Sequence, residues 1–324
     1  MAENIDFDAA AQELLKALRG RRSQRALSRR MGFRTNVVYT WEAGRTYPGA
    51  SRLLVLAELI GLDARACLAR FYRVPPPWLA EAEDVTTPEA VAALLRHLAG
   101  DRPTVELARA TGKSRFAVAR ILSGESEPRV PDLLRIVQAL TARALDFVAA
   151  FVDPADLPSL AQAWQRLETS RRLAYEEPMA HAVLRVLELS AYHALPAHRD
   201  GFVAEHLGIT PEAEARYLSL LQDSGQIEWQ QGRLVPMEDS PVDTRRDRAR
   251  AAALRAFWTR VALERIGQRD DDAYGYSLGT VSERDLERIR ELHRRYFTEL
   301  RSIVSGSHPA EVVLLANAQL VRLA

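Results

Sequence analysis

Residues 23–48 read SQRALSRRMGFRTNVVYTWEAGRTYP, and this stretch decides the fold predicted for the first part of the chain. Ser23 is a favourable N-cap residue, because its hydroxyl can accept a hydrogen bond from a free backbone N–H, and it begins a short helix that ends near Arg30. Gly32 supplies a tight turn, since glycine adopts backbone angles that other residues avoid. Residues 34 to about 43 form a second helix, so the stretch is predicted to be a helix-turn-helix.

The same pattern returns 80 residues later without a gap. The shift aligns identical residues, among them Leu14 with Leu94, Leu27 with Leu107, Gly32 with Gly112, Gly44 with Gly124, Pro48 with Pro128 and Leu53 with Leu133. Glycine and proline fix the geometry of turns, so matches at these residues are matches of backbone shape. Residues 8–73 and 88–153 are therefore predicted to share one all-helical fold, in domains spanning 1–73 and 88–153. The proline-rich and then acidic stretch between them, residues 74–87, is predicted to be a linker.

Basic residues are concentrated in the first of these domains. Residues 21–52 contain eight arginines and one glutamate, although the whole chain has a formal net charge of only +1. Such a concentration of positive charge is typical of a surface that binds a polyanion. The alternative, an ordinary solvated helical face, is less favoured because the charged run coincides with the predicted helix-turn-helix.

The composition excludes several classes of protein. With 47% apolar and 27% charged residues, the chain is neither disordered nor fibrous. Its one cysteine, Cys67, excludes an intramolecular disulfide framework, and its alignment with Phe147 indicates a core position. The sequence has no apolar stretch long enough to span a membrane, and its acidic N-terminus differs from a signal peptide, so a cytoplasmic protein is expected.

The quoted stretch resembles the lambda-repressor-like (Cro/C1, XRE-type) DNA-binding domain. Residue types of that family's pattern occur at Gln24, Leu27, Gly32, Val38, Trp41, Glu42, Gly44 and Pro48. The resemblance implies that the second helix enters the major groove, where Arg34, Thr35, Asn36 and Thr40 face bases. Phosphate contacts are expected from Arg25, Arg29, Arg45 and Arg52, and base or phosphate contacts from Gln24 and Tyr39, with Ser23 beside them. The small core beneath this surface is predicted to contain Leu27, Phe33, Val38 and Trp41.

The second copy departs from the first at positions that matter for DNA binding. Its run TVELARATGKSRFAVARILSGESEP, residues 104–128, has Leu122 where the first copy has Glu42, and Thr104 in place of Gln24. Its equivalent surface contains Lys113, Ser114, Arg115, Phe116 and Arg120. The phenylalanine could pack on a thymine methyl group or could mark a protein contact. Two interpretations stay open: this copy contacts DNA, or it is a dimerisation or regulatory copy.

Residues 170–240 are predicted to form a winged-helix-like domain. A helix over 178–192 precedes two shorter helices, over 200–207 and 212–223, and residues 226–236 have the pattern of a β-hairpin. Winged helices often bind DNA, but residues 199–236 contain three basic and six acidic side chains. Because phosphate repels a negative surface, a structural or protein-binding wing is favoured.

Residues 241–324 are predicted to be a long helix followed by a small α/β module for dimerisation or sensing. The helix spans residues 245–266, and a strand over 274–281, a helix over 283–304 and a strand over 311–323 follow. The runs YSLGTVSERDLERI (276–289) and VVLLANAQLVRL (312–323) resemble a bacterial regulator family whose C-terminal part is catalogued as domain-of-unknown-function family 4423. The ending LVRL departs from the aromatic ending typical of that family.

These patterns together predict a mainly α protein with two tandem lambda-repressor-like helical domains, the winged element and the α/β module. The leading hypothesis is a sequence-specific DNA-binding transcriptional regulator, a repressor that acts as a homodimer on double-stranded DNA. The alternative is a protein-interaction regulator, of the antitoxin or anti-activator type, whose C-terminal half binds a protein, peptide or small-molecule effector. An enzyme fused to a DNA-binding module is a third, weaker possibility. Since the sequence has no phosphate-binding loop, metal motif or catalytic constellation, we expect no enzymatic activity, cofactor, metal or membrane partner.

Overall fold

The computed structural model describes residues 5–72, 74–100, 102–237, 248–270 and 272–323, and these residues are mainly helical, as predicted. The chain divides into two compact units, Met1–Glu168 and Thr169–Ala324. Within the described ranges the only sheet is a two-stranded hairpin in the second unit.

The first unit contains the two predicted copies. The helices of the first copy are α1 (Phe7–Arg19), α2 (Gln24–Arg30), α3 (Val37–Glu42), α4 (Ala50–Ile60) and α5 (Ala64–Phe71). A short helix, α6 (Pro77–Glu81), follows. The helices of the second copy are α7 (Pro88–Ala99), α8 (Thr104–Thr111), α9 (Arg115–Ser123), α10 (Val130–Thr141) and α11 (Ala144–Ala149). The five helices of the first copy therefore recur in the same order and at the predicted spacing.

Local sequence explains where the short helices of each copy begin and end. The Ser23 hydroxyl accepts a hydrogen bond from the Ala26 backbone N–H at 3.4 Å, and the Ser114 hydroxyl accepts one from that of Ala117 at 3.2 Å. Beyond α3 and α9 the equivalent residues Gly44 and Gly124 have φ angles of +67° and +87°. Because side chains disfavour such left-handed angles, glycine at both positions ends the helix in the same way.

The two copies share one hydrophobic core. Each contributes equivalent leucines to it, namely Leu14 and Leu53 from the first copy and Leu94 and Leu133 from the second. Cys67 and its counterpart Phe147 are also buried there, as the sequence predicted. The ring of Phe147 meets that of Phe71 edge-on, with 5.4 Å between the ring centroids. The first two predicted domains are therefore one body.

The segment 74–87, predicted to be a linker, packs against the two copies that it connects. It contains α6, and both Leu79 and Val85 are buried in the shared core. The Arg65 guanidinium donates hydrogen bonds to the backbone carbonyls of Leu79 and Ala82. The proline-rich start does not keep the chain extended, because a proline at the first position of a helix is already set to a helical φ angle.

A reciprocal pair of backbone hydrogen bonds joins the two copies. The N–H of Ala50 donates to the carbonyl of Pro128, and the N–H of Val130 donates to the carbonyl of Pro48, each over 3.0 Å. Since Val130 is the counterpart of Ala50 and Pro128 that of Pro48, each copy makes the same contact to the other.

The second unit begins within α12 (Pro158–Glu176). It continues with α13 (Pro178–Leu187), α14 (Ser190–His193), α15 (Phe202–Leu207), α16 (Pro211–Asp223) and the antiparallel strands β1 (Ile227–Gln230) and β2 (Arg233–Pro236). This is the order of helices and hairpin predicted for the winged-helix-like domain, of which residues 238–240 lie outside the described ranges. The predicted helix over 178–192 breaks after Leu187, where Leu189 has extended backbone angles and the Ser190 N–H donates to the Ala310 carbonyl.

The tail contains two helices, α17 (Arg248–Glu264) and α18 (Glu283–Gly306), and neither of the two predicted strands. Residues 274–281 and 311–323 form no strand, so the predicted α/β module is wrong for the described residues. A β-rich composition does not suffice, since a strand also needs a neighbour that completes its backbone hydrogen bonds. Residues 245–247, where the first of these helices was predicted to begin, lie outside the described residues.

None of the helices that the structure describes combines the length and apolar character that crossing a membrane requires.

Candidate nucleic-acid interface

A buried serine fixes the geometry of α2 against α3. Ser28 is fully buried, its hydroxyl donates to the Gln24 carbonyl at 2.9 Å, and it accepts from the Val38 backbone N–H at 3.1 Å. Leu27 and Val38 pack beside it in the core, and Trp41 is buried as well. The sequence predicted these three apolar residues as core, but it did not single out Ser28.

A second cluster missed from the sequence joins α1, α2 and α3 around the carboxylate of Glu42. The Arg19 guanidinium donates to both of its oxygens, at 2.5 and 3.1 Å, and the Gln24 amide donates to it at 2.6 Å. The Glu42 side chain is only 7% exposed. Glu42 is the single acidic residue in the segment 21–52, so this cluster removes the only negative charge of the segment from the surface.

The arginines of the same segment are exposed. Seven of them have neither an ion-pair partner nor a hydrogen-bond acceptor for the side chain among the described residues: Arg21, Arg25, Arg29, Arg30, Arg34, Arg45 and Arg52. We call these seven residues the arginine surface. The Arg45 guanidinium lies 5.4 Å from the ring centre of Tyr39, and that of Arg52 lies 5.6 Å from that of Phe33. The aromatic rings thus hold two of these cations in place without cancelling their charge.

The start of α3 differs from the prediction. The helix begins at Val37, so Arg34 and Thr35 lie in the connection before it and Asn36 is its N-cap residue. The Asn36 side chain does not cap the helix; its Oδ1 lies 3.3 Å from the Ser28 hydroxyl. Threonine and asparagine favour such boundaries because their short polar side chains compete for backbone and neighbouring groups. All three residues are exposed, so they remain available to a ligand.

Two predicted contact residues of the first copy are already committed to other contacts. The Thr40 hydroxyl is half-buried, donates to the Val37 carbonyl at 2.8 Å and lies 3.0 Å from that of Thr46. The Gln24 amide donates one N–H to Glu42, so its second N–H and its carbonyl oxygen are the groups left for the expected contact to DNA. Tyr39, in contrast, is 45% exposed. Ser23 is exposed while its oxygen caps α2.

The second copy presents a less basic surface. Lys113 forms an ion pair with Asp132 at 3.0 Å, and Arg120 lies 3.8 Å from Glu125. Ser114 is the N-cap residue of α9. Arg115 is exposed, with no ion-pair partner in the described part of the chain, and the Phe116 side chain is 79% exposed.

The second copy has a basic residue at only one of the seven positions equivalent to the arginine surface. The counterparts of Arg25, Arg34, Arg45 and Arg52 are Val105, Ser114, Glu125 and Asp132. The counterpart of Arg29, Arg109, is retained and exposed. The positive charge that could attract a polyanion is therefore concentrated on the first copy.

In the segment predicted to be winged-helix-like, which we call the winged element, the arginines of residues 199–236 all form ion pairs or hydrogen bonds. Arg199 donates to both carboxylate oxygens of Glu205, at 2.9 and 2.7 Å, and these hydrogen bonds lower the pKa of that carboxyl. Arg216 pairs with Glu177 at 2.7 Å, and the Arg233 guanidinium donates to the His193 carbonyl at 2.8 Å. These are all three basic residues of the segment 199–236.

One buried acid of the winged element has a structural role. Glu214 is 2% exposed and accepts hydrogen bonds from the backbone N–H groups of Gly201 and Ala204, at 3.1 and 2.7 Å. It therefore satisfies free donors at the start of α15 and connects this helix to α16.

Comparison with known proteins gives a family match only for the C-terminal part of the chain. Searches among curated proteins and among solved structures gave no significant match. A family model described as a domain of unknown function, DUF4423, matches residues 159–323, which is half of the chain. The match begins within α12 and continues through the winged element, α17 and α18. The chain therefore belongs to the DUF4423 family.

Proposed function

We propose that this protein is a sequence-specific DNA-binding transcriptional regulator of the lambda-repressor-like kind. The observation that carries the proposal is the arginine surface. It places seven exposed cations around α2 and α3, where the side chain of the one acidic residue, Glu42, is buried. Duplex DNA has a dense row of phosphates, and arginines that neutralise them release bound counterions, which favours binding.

The residues before and within α3 supply the direct contacts. Arg34 can read guanine and Asn36 can read adenine in the major groove, with Thr35 between them. Arg25, Arg29 and Arg45 contact phosphates on either side, and Tyr39 reaches a base or a phosphate. Binding at a promoter would exclude other proteins from it, so repression is the mode of action that we propose.

Salt-dependent titration against duplex DNA tests this function. The protein is first used to select duplexes from a random-sequence pool, and binding of a selected duplex is then measured by fluorescence anisotropy. We expect one enriched motif and a linear fall of the logarithm of affinity with the logarithm of salt concentration. Replacing Arg25 and Arg29 together by alanine should reduce the slope by about two, one for each phosphate contact.

A matched control distinguishes the effect of the arginine surface from the effect of net charge alone. Arg255 and Arg284 are exposed, and no ion pair of theirs occurs among the described residues of the second unit. Their double replacement by alanine changes the net charge equally and should leave the slope unchanged. Equal slopes for both double variants, or no motif enriched in the selection, would contradict the proposed function.

A second candidate function is protein binding by the DUF4423 region, as in a regulator of the antitoxin or anti-activator type. Apolar side chains of this region are strongly exposed; Tyr276 is 97% exposed, and Leu278 and Val312 are each 79% exposed. The occupant that we favour is a second copy of the chain. Apolar residues of α18 recur at a heptad spacing that His293 interrupts, at Leu286, Ile289, Tyr296, Leu300 and Ile303.

Light scattering of the purified chain tests this self-association. We expect a dimer that Ile303→Asp converts to a monomer, because a buried aspartate in an apolar seam is costly. Val74→Asp places the same change on an exposed apolar residue of the first unit and should leave the dimer intact. A monomeric wild-type chain would remove the homodimer from the proposal.

A further inference from the structure

The contact between the two copies of the first unit pairs residues with their own counterparts. Gly49 and its counterpart Arg129 form an antiparallel backbone bridge with each other. The Arg70 guanidinium donates to the carbonyl of Ala150, which is the counterpart of Arg70 itself, at 2.6 Å. The reciprocal bonds between 48–50 and 128–130 lie on both sides of the bridge.

Only a rotation by half a turn brings equivalent residues together in this way. In a symmetric dimer such an interface is called isologous, because the same patch of each partner contacts the other. The first unit therefore contains, within one chain, the arrangement that other proteins build from two chains. Its local two-fold axis passes through the bridge of Gly49 and Arg129.

The helix α3 of the first copy lies beside this axis. A groove of about 550 Å³ is lined by Val37 and Trp41 of α3, by Gly49 at the axis, and by Glu127 and Arg129 of the second copy. Since α9 is the counterpart of α3, the two-fold relation places α9 on the other side of the same axis. The helix predicted to enter the major groove, α3, and its counterpart α9 therefore flank the axis as a pair.

We infer that a single chain binds a complete two-part DNA site, with the surface of α3 in one half and that of α9 in the other. The inference rests on the proposed function and adds the form of its ligand, an asymmetric duplex. In dimers with this kind of helix pair, a two-fold axis presents two recognition helices to half-sites about one helical turn apart. Here one chain supplies both helices.

The two halves of the site differ because the two copies differ. The first copy offers Arg34, Thr35 and Asn36 with the arginine surface around them, whereas the second offers Ser114, Arg115 and Phe116. Asn36 and its counterpart Phe116 cannot make the same base contact, since an amide hydrogen-bonds to adenine and an aromatic ring packs on a methyl group. A palindromic site is therefore the wrong ligand for this surface, and the preferred site has one strongly and one weakly specified half.

Stoichiometry gives the first test. The full chain is used to select binders from a random pool of duplexes of about 40 base pairs, nearly four helical turns. Native mass spectrometry of the selected duplex at saturation should give one chain for each duplex. Dimerisation through the DUF4423 region leaves this ratio at one, because two chains then hold two duplexes. Two chains for each duplex would overturn the inference.

Two arginine variants give the second test. Arg34→Ala should relax the base preference by about tenfold in one half of the selected site only, and Arg115→Ala should do so in the other half only. Arg284→Ala, an exposed arginine of the second unit, is the control and should change neither half. If two chains instead placed their first copies in both halves, Arg34→Ala would relax both halves together.

The outcomes separate the inference from the proposed function. Specific binding in which Arg34→Ala affects both halves, or in which Arg115→Ala affects neither, overturns the inference and leaves the regulator function standing. Failure to bind any duplex more tightly than bulk DNA removes the regulator function and the inference with it. One chain for each duplex, with one variant affecting each half, supports both.

Discussion

Gly49 and Arg129 occupy equivalent positions in the two copies and pair with each other through their backbones. A Cβ atom at position 49 would overlap the carboxylate of Glu127 in the second copy, so the Glu127 side chain would have to move if Gly49 were replaced. That carboxylate accepts a hydrogen bond from the backbone N–H of Ser51, which is buried. The two-fold contact thus depends on a missing side chain in one copy and on a carboxylate supplied by the other.

We expect Gly49→Ala to lower the free energy of unfolding by about 1–3 kcal/mol, because the displaced Glu127 leaves the Ser51 N–H without an acceptor. Urea unfolding of the full chain, followed by circular dichroism, measures the effect. Gly275→Ala is the control, since no atom lies within 4 Å of the Cβ added there. Equal stability of the two variants would show that Glu127 moves away without cost.

The ion pair of Arg19 and Glu42 leads to a prediction about stability. Arg19→Ala leaves a carboxylate that is 7% exposed without its cation. Removing one partner of a buried pair is costly, so we expect the free energy of unfolding to fall by about 3 kcal/mol. The midpoint of urea unfolding measures this change.

The second copy supplies the control for this variant. Its residues at the positions of Arg19 and Glu42 are Ala99 and Leu122, both packed in apolar surroundings. The double variant Arg19→Ala with Glu42→Leu should therefore regain most of the lost stability, because no buried charge remains. A double variant as unstable as Arg19→Ala alone would mean that the guanidinium stabilises α1 by its bonds to the carbonyls of Gly20 and Arg22.

Turn residues made much of the first unit predictable. Glycine and proline at matching positions determine where helices end, and this signal is local, so a shift of 80 residues reveals it without knowledge of any long-range contact. The same holds for the hairpin of the second unit, in which Gly232 is the second residue of the two-residue turn. Basic residues likewise indicated the candidate site, because charge is a property of composition.

Contacts between distant residues were not predictable. Glu42 meets Arg19 over 23 positions of the chain, and the periodicity of neither helix indicates that pair. The absent strands over 274–281 and 311–323 have a similar cause. Alternating apolar residues show that a segment can enter a sheet, but pairing depends on a partner strand that the local sequence does not specify.

The winged element depends on a buried hydroxyl. Tyr192 is fully buried, its oxygen accepts from the Leu234 N–H at 3.0 Å and lies 2.9 Å from Nδ1 of His198. We expect Tyr192→Phe to lower the free energy of unfolding by about 1–3 kcal/mol, because the Leu234 donor is left buried without a partner. Hydrogen exchange at the Leu234 amide should accelerate with it.

Tyr276→Phe is the matched control, because this side chain is 97% exposed. It removes the same hydroxyl from the second unit without burying a donor, so neither the unfolding midpoint nor the Leu234 amide should respond. If the amide exchanged equally slowly in Tyr192→Phe, the hairpin would be held by its apolar contacts alone.

Asp132 is one of the residues at which the second copy has the opposite charge to the first. Its counterpart, Arg52, belongs to the arginine surface, whereas Asp132 neutralises Lys113 at 3.0 Å and lies 3.6 Å from Arg135. Asp132 therefore stands in place of one cation, Arg52, and neutralises a second one, Lys113. Its position in the first turn of α10 also favours a negative charge, because helix starts are electropositive.

Asp132→Arg should strengthen binding to duplex DNA and make its salt slope steeper by about one to two, because it adds a cation and releases Lys113. The loss of the favourable charge at the start of α10 should cost about 0.5–1 kcal/mol of stability, which circular dichroism can follow separately. Asp156→Arg makes the same change at an exposed carboxylate outside both copies and should leave the slope nearly unaltered. Anisotropy titrations of both variants at several salt concentrations measure the two salt slopes. Since a purely general charge effect would act equally in the two variants, identical slopes would place the second copy away from the DNA.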